Sequence, residues 1–142
     1  MFFKLFLALT LISSMLYSSE TLIAAKIVNK TVSALFPGKK RLKAWGSTAY
    51  HRDIISKTTR LIESKTASEA EFYLVGKTVP MHIDEERVIF TTDIDLFYED
   101  ERVIGAFYWQ KGRPNLIFLR KRLEAYKLPI SSELRDYIED EL

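Results

Sequence analysis

The amino-terminal stretch constrains this chain most, because it decides which residues are left to fold and where they fold. Lys4 is the one charged side chain ahead of an apolar run of 13 residues, Leu5–Tyr17, and Ser18 and Ser19 follow that run. This order is typical of a bacterial secretory signal, and the run is shorter than the ~20 residues of a membrane-spanning helix. We therefore expect residues 1–19 to be a cleaved signal peptide that directs export to the periplasm. The alternative is an uncleaved N-terminal helix.

The remaining residues, 20–142, have the length and composition of a single domain. The chain is 47% hydrophobic and has no cysteine, so an exported domain would depend on its apolar core and not on disulfides. The formal net charge of +2 is too small to indicate nucleic acid as the main partner. The charged run Arg120–Arg122 is expected to be a solvated surface.

The spacing of apolar residues predicts helices that alternate with strands. Helices are predicted over 21–35, 50–64, 120–126 and 130–138, and strands over 41–45, 71–75, 88–91, 103–109 and 115–119. The last two strands flank the turn Lys111–Pro114 and predict a hairpin. We therefore expect one α/β domain with a mixed sheet of about five strands and helices packed on it. It would end in the β-hairpin and two short helices.

The strand 103–109 carries apolar residues on both of its faces. Strict alternation places Val103, Gly105, Phe107 and Trp109 on one face and Ile104, Ala106 and Tyr108 on the other. A strand of this composition is covered by other elements on both sides, so it should lie inside the domain.

Small polar loops follow three of the predicted strands. They are Gly46-Ser47-Thr48, Gly76-Lys77-Thr78 and Thr91-Thr92-Asp93. Ligands of α/β sheets bind beyond the carboxyl ends of the strands, so adjacent parallel strands would bring these loops into one small-molecule site. Ser47 or Thr48 can also cap the next helix, whose free N–H groups attract anions. The alternative is that these residues only form turns.

Other motifs that carry chemistry are incomplete. Segment 76–78 (Gly-Lys-Thr) resembles the end of a phosphate-binding loop, but Glu71 occupies the position of the first glycine. His51 and His82 lack metal-ligand spacing, and Asp93-x-Asp95 lacks the rest of a calcium loop, which favours a capping or turn role for Asp93. No nucleophile–base pair stands out. We expect no catalytic residue, no metal and no cofactor, and hence no enzyme.

The carboxyl-terminal half resembles a known family. Strand Val103–Trp109, strand Asn115–Leu119 and the segment Leu128-Pro-Ile-Ser-Ser-Glu-Leu134 are similar to the closing part of the YfiR-like periplasmic proteins. In that family a strand pair is followed by a helix and a Leu-x-Ile-Ser-Ser-x-Leu stretch. The resemblance implies a periplasmic regulator without catalytic activity. It would bind the outward-facing sensor domain of an inner-membrane signalling enzyme, such as a diguanylate cyclase, and restrain that enzyme.

A second class of function stays open beside the regulator. The three polar loops would suit a periplasmic domain that binds a small solute, akin to one lobe of a solute-binding protein. The expected partner is an inner-membrane signalling protein in the first case and a small molecule in the second, and a homodimer is compatible with both. A neighbouring gene for a membrane-bound cyclase or kinase would favour the regulator, and a permease gene would favour the binder.

Overall fold

A mixed β-sheet with helices on both faces forms the centre of the protein. The computed structural model describes residues 2–81, 83–84 and 86–142, with side chains from residue 19 onward. The helices are α1 (Phe2–Leu35), α2 (Ala49–Ser56), α3 (Ile94–Glu99) and α4 (Arg120–Ala125), and the strands are β1 (Leu42–Gly46), β2 (Leu61–Glu63), β3 (Phe72–Val75), β4 (Val88–Thr91), β5 (Val103–Gln110), β6 (Arg113–Leu119) and β7 (Ile138–Glu139). Residues 1–18 of the predicted signal peptide lie outside the described side chains. No helix in the described residues is long and apolar enough to cross a membrane.

The seven strands have the spatial order β2-β1-β3-β4-β5-β6-β7. The first five strands in this order run parallel to one another, β5 and β6 form an antiparallel hairpin, and β7 is parallel to β6. This confirms a single α/β domain with a mixed sheet and a hairpin, although the sheet has seven strands and not about five. Strands β1, β3 and β4 are adjacent and parallel, which is the arrangement that a shared site for the three loops requires.

Each face of the sheet has its own apolar core. One face packs against α1 and α2, and its core includes Val28, Val32, Ile54, Phe72, Phe90 and Phe118. The other face packs against α3, and its core includes Tyr73, Ile89, Leu96, Phe97 and Val103. Burial of this apolar surface on both faces is the main stabilising term available to a chain without cysteines.

The helix predicted over 50–64 is shorter in the structure, because its second half forms a strand. Helix α2 ends at Ser56, and Leu61 pairs with Leu42 in parallel β-structure. The side-chain oxygen of Asn29 in α1 accepts hydrogen bonds from the backbone N–H groups of Thr59 and Arg60 at 3.1 and 3.0 Å. These contacts between distant residues hold the segment out of a helix, so the helical spacing of Leu61 was misleading.

The last predicted helix, 130–138, was also wrong. Its place is taken by a short 3₁₀ helix, Arg135–Tyr137, and by β7, in which Ile138 pairs with Phe118. Leu134 is fully buried in the core beneath α1 and α2. The apolar residues of this segment therefore anchor it to the sheet, and they do not form one face of a helix. The helix predicted over 120–126 is confirmed as α4.

Strand β5 is covered on both sides, as predicted, but its residues do not alternate strictly. The pairing with β4 shifts between Ile89, opposite Val103, and Phe90, opposite Gly105. Ile104 consequently lies in the same core as Phe107, on the face where only odd-numbered residues were expected. A β-bulge of this kind inserts one residue and reverses the alternation from that point.

Candidate functional site

The three predicted loops meet in one cleft at the carboxyl ends of β1, β3 and β4. The cleft has a volume of about 460 Å³ and is lined by Ser47, Thr48, His51, Gly76, Lys77, Thr78, Thr92 and Asp93. Seven of the nine residues expected from the sequence line it, whereas Gly46 and Thr91 are buried at the strand ends. The position beyond the carboxyl edge of parallel strands is where ligands of α/β sheets bind.

Backbone hydrogen bonds between neighbouring strands bring the loops together. The N–H of Ser47 donates to the carbonyl of Leu74 at 3.1 Å, and the N–H of Thr92 donates to the carbonyl of Val75 at 3.0 Å. The N–H of Gly76 donates to Ser47 Oγ at 3.2 Å. Each loop is therefore held to the next one by the continuation of the sheet.

Gly46 contributes to the site through its lack of a side chain. A Cβ atom at this position would lie 2.8 Å from the backbone nitrogen of Arg52 in helix α2. Only glycine allows α2 to approach the end of β1 this closely. Gly46 thus sets the position of the helix and does not contact the cleft.

His51 occupies the floor of the cleft and was not among the residues expected from the sequence. Its side chain is buried, with 4% of the residue exposed. Nδ1 lies 2.6 Å from Thr48 Oγ1 and 3.2 Å from Ser47 Oγ, and Nε2 lies 2.8 Å from Thr92 Oγ1. The missed signal was positional, because a residue three places after the helix cap Thr48 faces back toward that cap.

Hydroxyl groups lie next to both nitrogens of the His51 ring. Ser47 Oγ accepts the N–H of Gly76, and Thr48 Oγ1 accepts the N–H of His51 itself. A neutral imidazole donates from one ring nitrogen and accepts at the other, and the hydroxyl groups of Thr48 and Thr92 can serve either tautomer. Burial, together with the positive charge of Arg52, lowers the pKa of His51 to about 4. The ring is neutral near pH 7.

The sequence indicated no nucleophile–base pair, yet the structure places the hydroxyl groups of Ser47, Thr48 and Thr92 next to the His51 ring. However, a general base works best with a pKa near the working pH, and His51 lies well below neutrality. Both of its ring nitrogens are already engaged with Thr48 and Thr92. The geometry suits a bridge that holds two loops together.

Thr91 and Asp93 perform the turn and capping roles that were the alternative interpretation of the third loop. The Thr91 hydroxyl lies within hydrogen-bond distance of the carbonyls of Val75 and Gly76 and accepts the N–H of Asp93. Asp93 Oδ1 accepts the N–H groups of Asp95 and Leu96, at 2.9 and 3.2 Å, and so caps helix α3, which the sequence did not predict.

Lys77 and Thr78 are the exposed residues of the middle loop. In the residues that the structure describes, Lys77 makes no ion pair or hydrogen bond, although it lines the cleft. Its ammonium group is therefore available to a ligand. No group of three metal-ligating side chains occurs within the described part of the chain, and His82 lies outside that part.

A second, smaller cleft lies at the opposite edge of the sheet. It has a volume of about 300 Å³ and is bordered by Lys39, Glu71 and Arg87, among others. Lys39 Nζ lies 2.8 Å from Glu71 Oε1, and this contact is the main reason that the pKa of Glu71 is lowered. Lys39 and Glu71 are thus paired with each other, whereas Lys77 in the first cleft has no ion pair within the described residues.

Comparison with known proteins gives no relative for this chain: no protein-family model, no curated protein and no solved structure matches it.

Proposed function

We propose that this protein is an exported regulator that acts by contact and not by turnover. It binds the periplasmic sensor domain of an inner-membrane signalling enzyme, such as a diguanylate cyclase, and restrains that enzyme. The proposal depends first on the resemblance of segment 103–134 to the YfiR-like periplasmic proteins.

The observation that supports it best is that this segment is built as one structural unit. Hairpin β5–β6 leads directly into α4, and the stretch that follows returns to the same core, where Leu134 is fully buried. Leu128 and Ile130 pack against that core as well. The residues that carry the resemblance thus have positions in the fold that depend on one another.

The chemistry of the cleft also favours contact over turnover. The imidazole of His51 contacts the cleft hydroxyls, and its ring is neutral, buried and hydrogen bonded at both nitrogens. A hydrolase would need this group to accept a proton from Ser47 or Thr48 near neutral pH. The lowered pKa of His51 makes its ring a weaker base and so disfavours this proton transfer.

Deletion of the gene tests the regulator directly. We expect the level of cyclic di-GMP, or the output of the partner enzyme, to rise in the deletion strain and to return on complementation with the full chain. Complementation with a chain that lacks residues 1–19 is the matched control, and it should fail because the protein is not exported. Unchanged cyclic-dinucleotide levels after deletion would exclude the cyclase version. Failure of the purified protein to bind any membrane signalling protein would exclude the regulator.

Export itself is tested by sequencing the amino terminus of the protein recovered from the periplasm. We expect cleavage after Ser18 or Ser19, since small residues follow the apolar run there. Recovery of the intact chain, beginning at Met1, from the membrane fraction would contradict this.

The cleft supports a second candidate function, the binding of a small solute. Three loops from separate strands converge on about 460 Å³ of space, and Lys77 makes no ion pair or hydrogen bond with any residue that the structure describes. Solute binding can be the sole function of the protein, or it can control the regulator. A ligand that binds one of two conformational states more tightly shifts the equilibrium toward that state. Saturable binding of a solute, without any membrane signalling partner, would favour the solute binder.

A further inference from the structure

The cleft between the three loops carries two opposite charges that do not neutralise each other. Lys77 and Asp93 both line it, yet they form no ion pair with each other in the described residues. The geometry points to a small dipolar solute, carrying one anionic and one cationic group, as the ligand of this cleft. This inference rests on the second function proposed above, the binding of a small solute.

Lys77 and Asp93 are not joined in the way that the four ion pairs of the described residues are. Lys57 Nζ lies 3.0 Å from Asp53 Oδ2, and Arg102 Nη2 lies 2.7 Å from Asp100 Oδ2. Each of those charges therefore has a partner of opposite sign inside the protein. Among the described residues Lys77 donates no hydrogen bond, and Asp93 uses only Oδ1, for the cap of α3. Asp93 Oδ2 has no hydrogen-bond partner in the described part of the chain. A ligand can therefore pair with both Lys77 and Asp93 without breaking an existing contact.

An anion alone would fit this cleft less well than a dipolar ligand. Lys77 would attract it, but the carboxylate of Asp93 in the same cleft would repel it. A cation alone would be attracted by Asp93 and repelled by Lys77. A solute with both charges gains from each residue, and charge-assisted hydrogen bonds are the stronger kind.

The floor of the cleft supplies hydroxyl groups and no net charge. The neutral ring of His51 orients Ser47, Thr48 and Thr92, which makes the floor a fixed set of polar groups. Such a floor can orient a polar ligand by hydrogen bonds, while Lys77 and Asp93, which also line the cleft, select it by charge.

Calorimetric titration of the purified exported protein tests the inference. The probes are glycine, β-alanine and 4-aminobutanoate, which differ in the separation of their charges, together with propionate and propylamine, which carry one charge each. We expect at least one of the three dipolar probes to bind with a Kd below about 10 mM. We expect both single-charge probes to bind it at least about tenfold more weakly.

Two variants identify the cleft as the site. Lys77→Gln and Asp93→Asn should each weaken binding of that probe about tenfold or more. Asparagine caps helices as well as aspartate does, so the second variant keeps α3 intact. Lys26→Gln, on the exposed side of α1, and Asp95→Asn, in the first turn of α3, are matched controls that should bind like the wild type.

The outcomes separate this inference from the two proposed functions. If no dipolar probe binds, or if propionate binds equally well and Asp93→Asn has no effect, the inference is overturned, whether or not the protein restrains an enzyme. Suppose that a dipolar probe binds through Lys77 and Asp93 while deletion of the gene leaves signalling unchanged. This result would support the dipolar ligand and exclude the proposed role as a regulator.

Discussion

His51 Nε2 lies 2.8 Å from Thr92 Oγ1, although the two residues are 41 positions apart in the chain. The contact joins helix α2 to the loop after β4 across the intervening loop of β3. Because the other ring nitrogen contacts Thr48, one side chain links the first and third loops of the cleft. A protonated imidazole has no acceptor nitrogen, so we expect protonation of this ring to weaken the link between the two loops.

Stability should depend on pH through His51. Its pKa is about 4 in the folded protein and 6.5 ordinarily, so between these values the unfolded chain binds a proton that the folded protein excludes. The contribution of this group is fully present above pH 6.5 and is lost as the pH falls toward 4. Over that interval the free energy of unfolding should decrease by roughly 3 kcal/mol. Urea unfolding at several pH values measures this.

A His51→Gln variant is the control for that experiment, because glutamine can hydrogen bond but does not titrate. We expect it to be less stable than the wild type at pH 7 and to lose less stability between pH 6.5 and 4. Parallel pH profiles for the two proteins would mean that His51 is not the group responsible.

The sequence predicted the cleft well because the features that create it are local. A glycine or threonine that ends a strand, followed by a helix cap, can be recognised within a few residues of sequence. The parallel order of β1, β3 and β4 then brings the three loops to one edge of the sheet. His51 was not predicted as a cleft residue, since its role depends on a hydrogen bond with Thr92, which is distant in the sequence. Segments 57–64 and 130–138 were misassigned for a similar reason. Asn29 and Phe118, which hold these segments in place, are distant in sequence.

Phe107→Ala tests whether the centre of β5 holds the domain together. Phe107 is fully buried, and the Trp109 ring packs edge-on against it with the ring centroids 5.5 Å apart. Removal of the ring should lower the free energy of unfolding by about 3–5 kcal/mol. Met81→Ala, at a residue that is 84% exposed, is the control and should change it by roughly 0.5 kcal/mol or less. A loss below about 1 kcal/mol for Phe107→Ala would contradict the packing.

Gly105→Ala tests the bulge in the same strand. A Cβ atom there would lie 2.4 Å from Phe118 Cδ1 and 2.8 Å from the carbonyl oxygen of Ile117, so ring and backbone would both have to move. We expect a loss of about 2–3 kcal/mol in denaturant melts. Gly38→Ala, where no described atom lies within 4 Å of the new Cβ, should be nearly neutral. Combination with Phe118→Ala removes the colliding ring, so the double variant should lose less than the sum of the single losses. Strict additivity would argue against the collision.

Arg122 was expected to be solvated with its neighbours, yet it is buried, with 7% of the residue exposed. Its Nη1 donates to the carbonyls of Phe97 and Val103 at 2.6 and 2.8 Å, and its guanidinium lies 4.6 Å from the centre of the Phe97 ring. The side chain thus joins α4 to α3 and β5, and burial is the main reason that its pKa is lowered.

Arg122→Met should therefore destabilise the protein by about 2–4 kcal/mol, because two buried carbonyl groups lose their donor while the apolar stem is kept. Lys121→Met removes the adjacent exposed charge and should change the free energy of unfolding by no more than about 0.5 kcal/mol. Equilibrium denaturation of the two variants side by side separates the loss of a buried donor from the loss of a positive charge. Equal stabilities for the two variants would show that the buried hydrogen bonds of Arg122 contribute nothing.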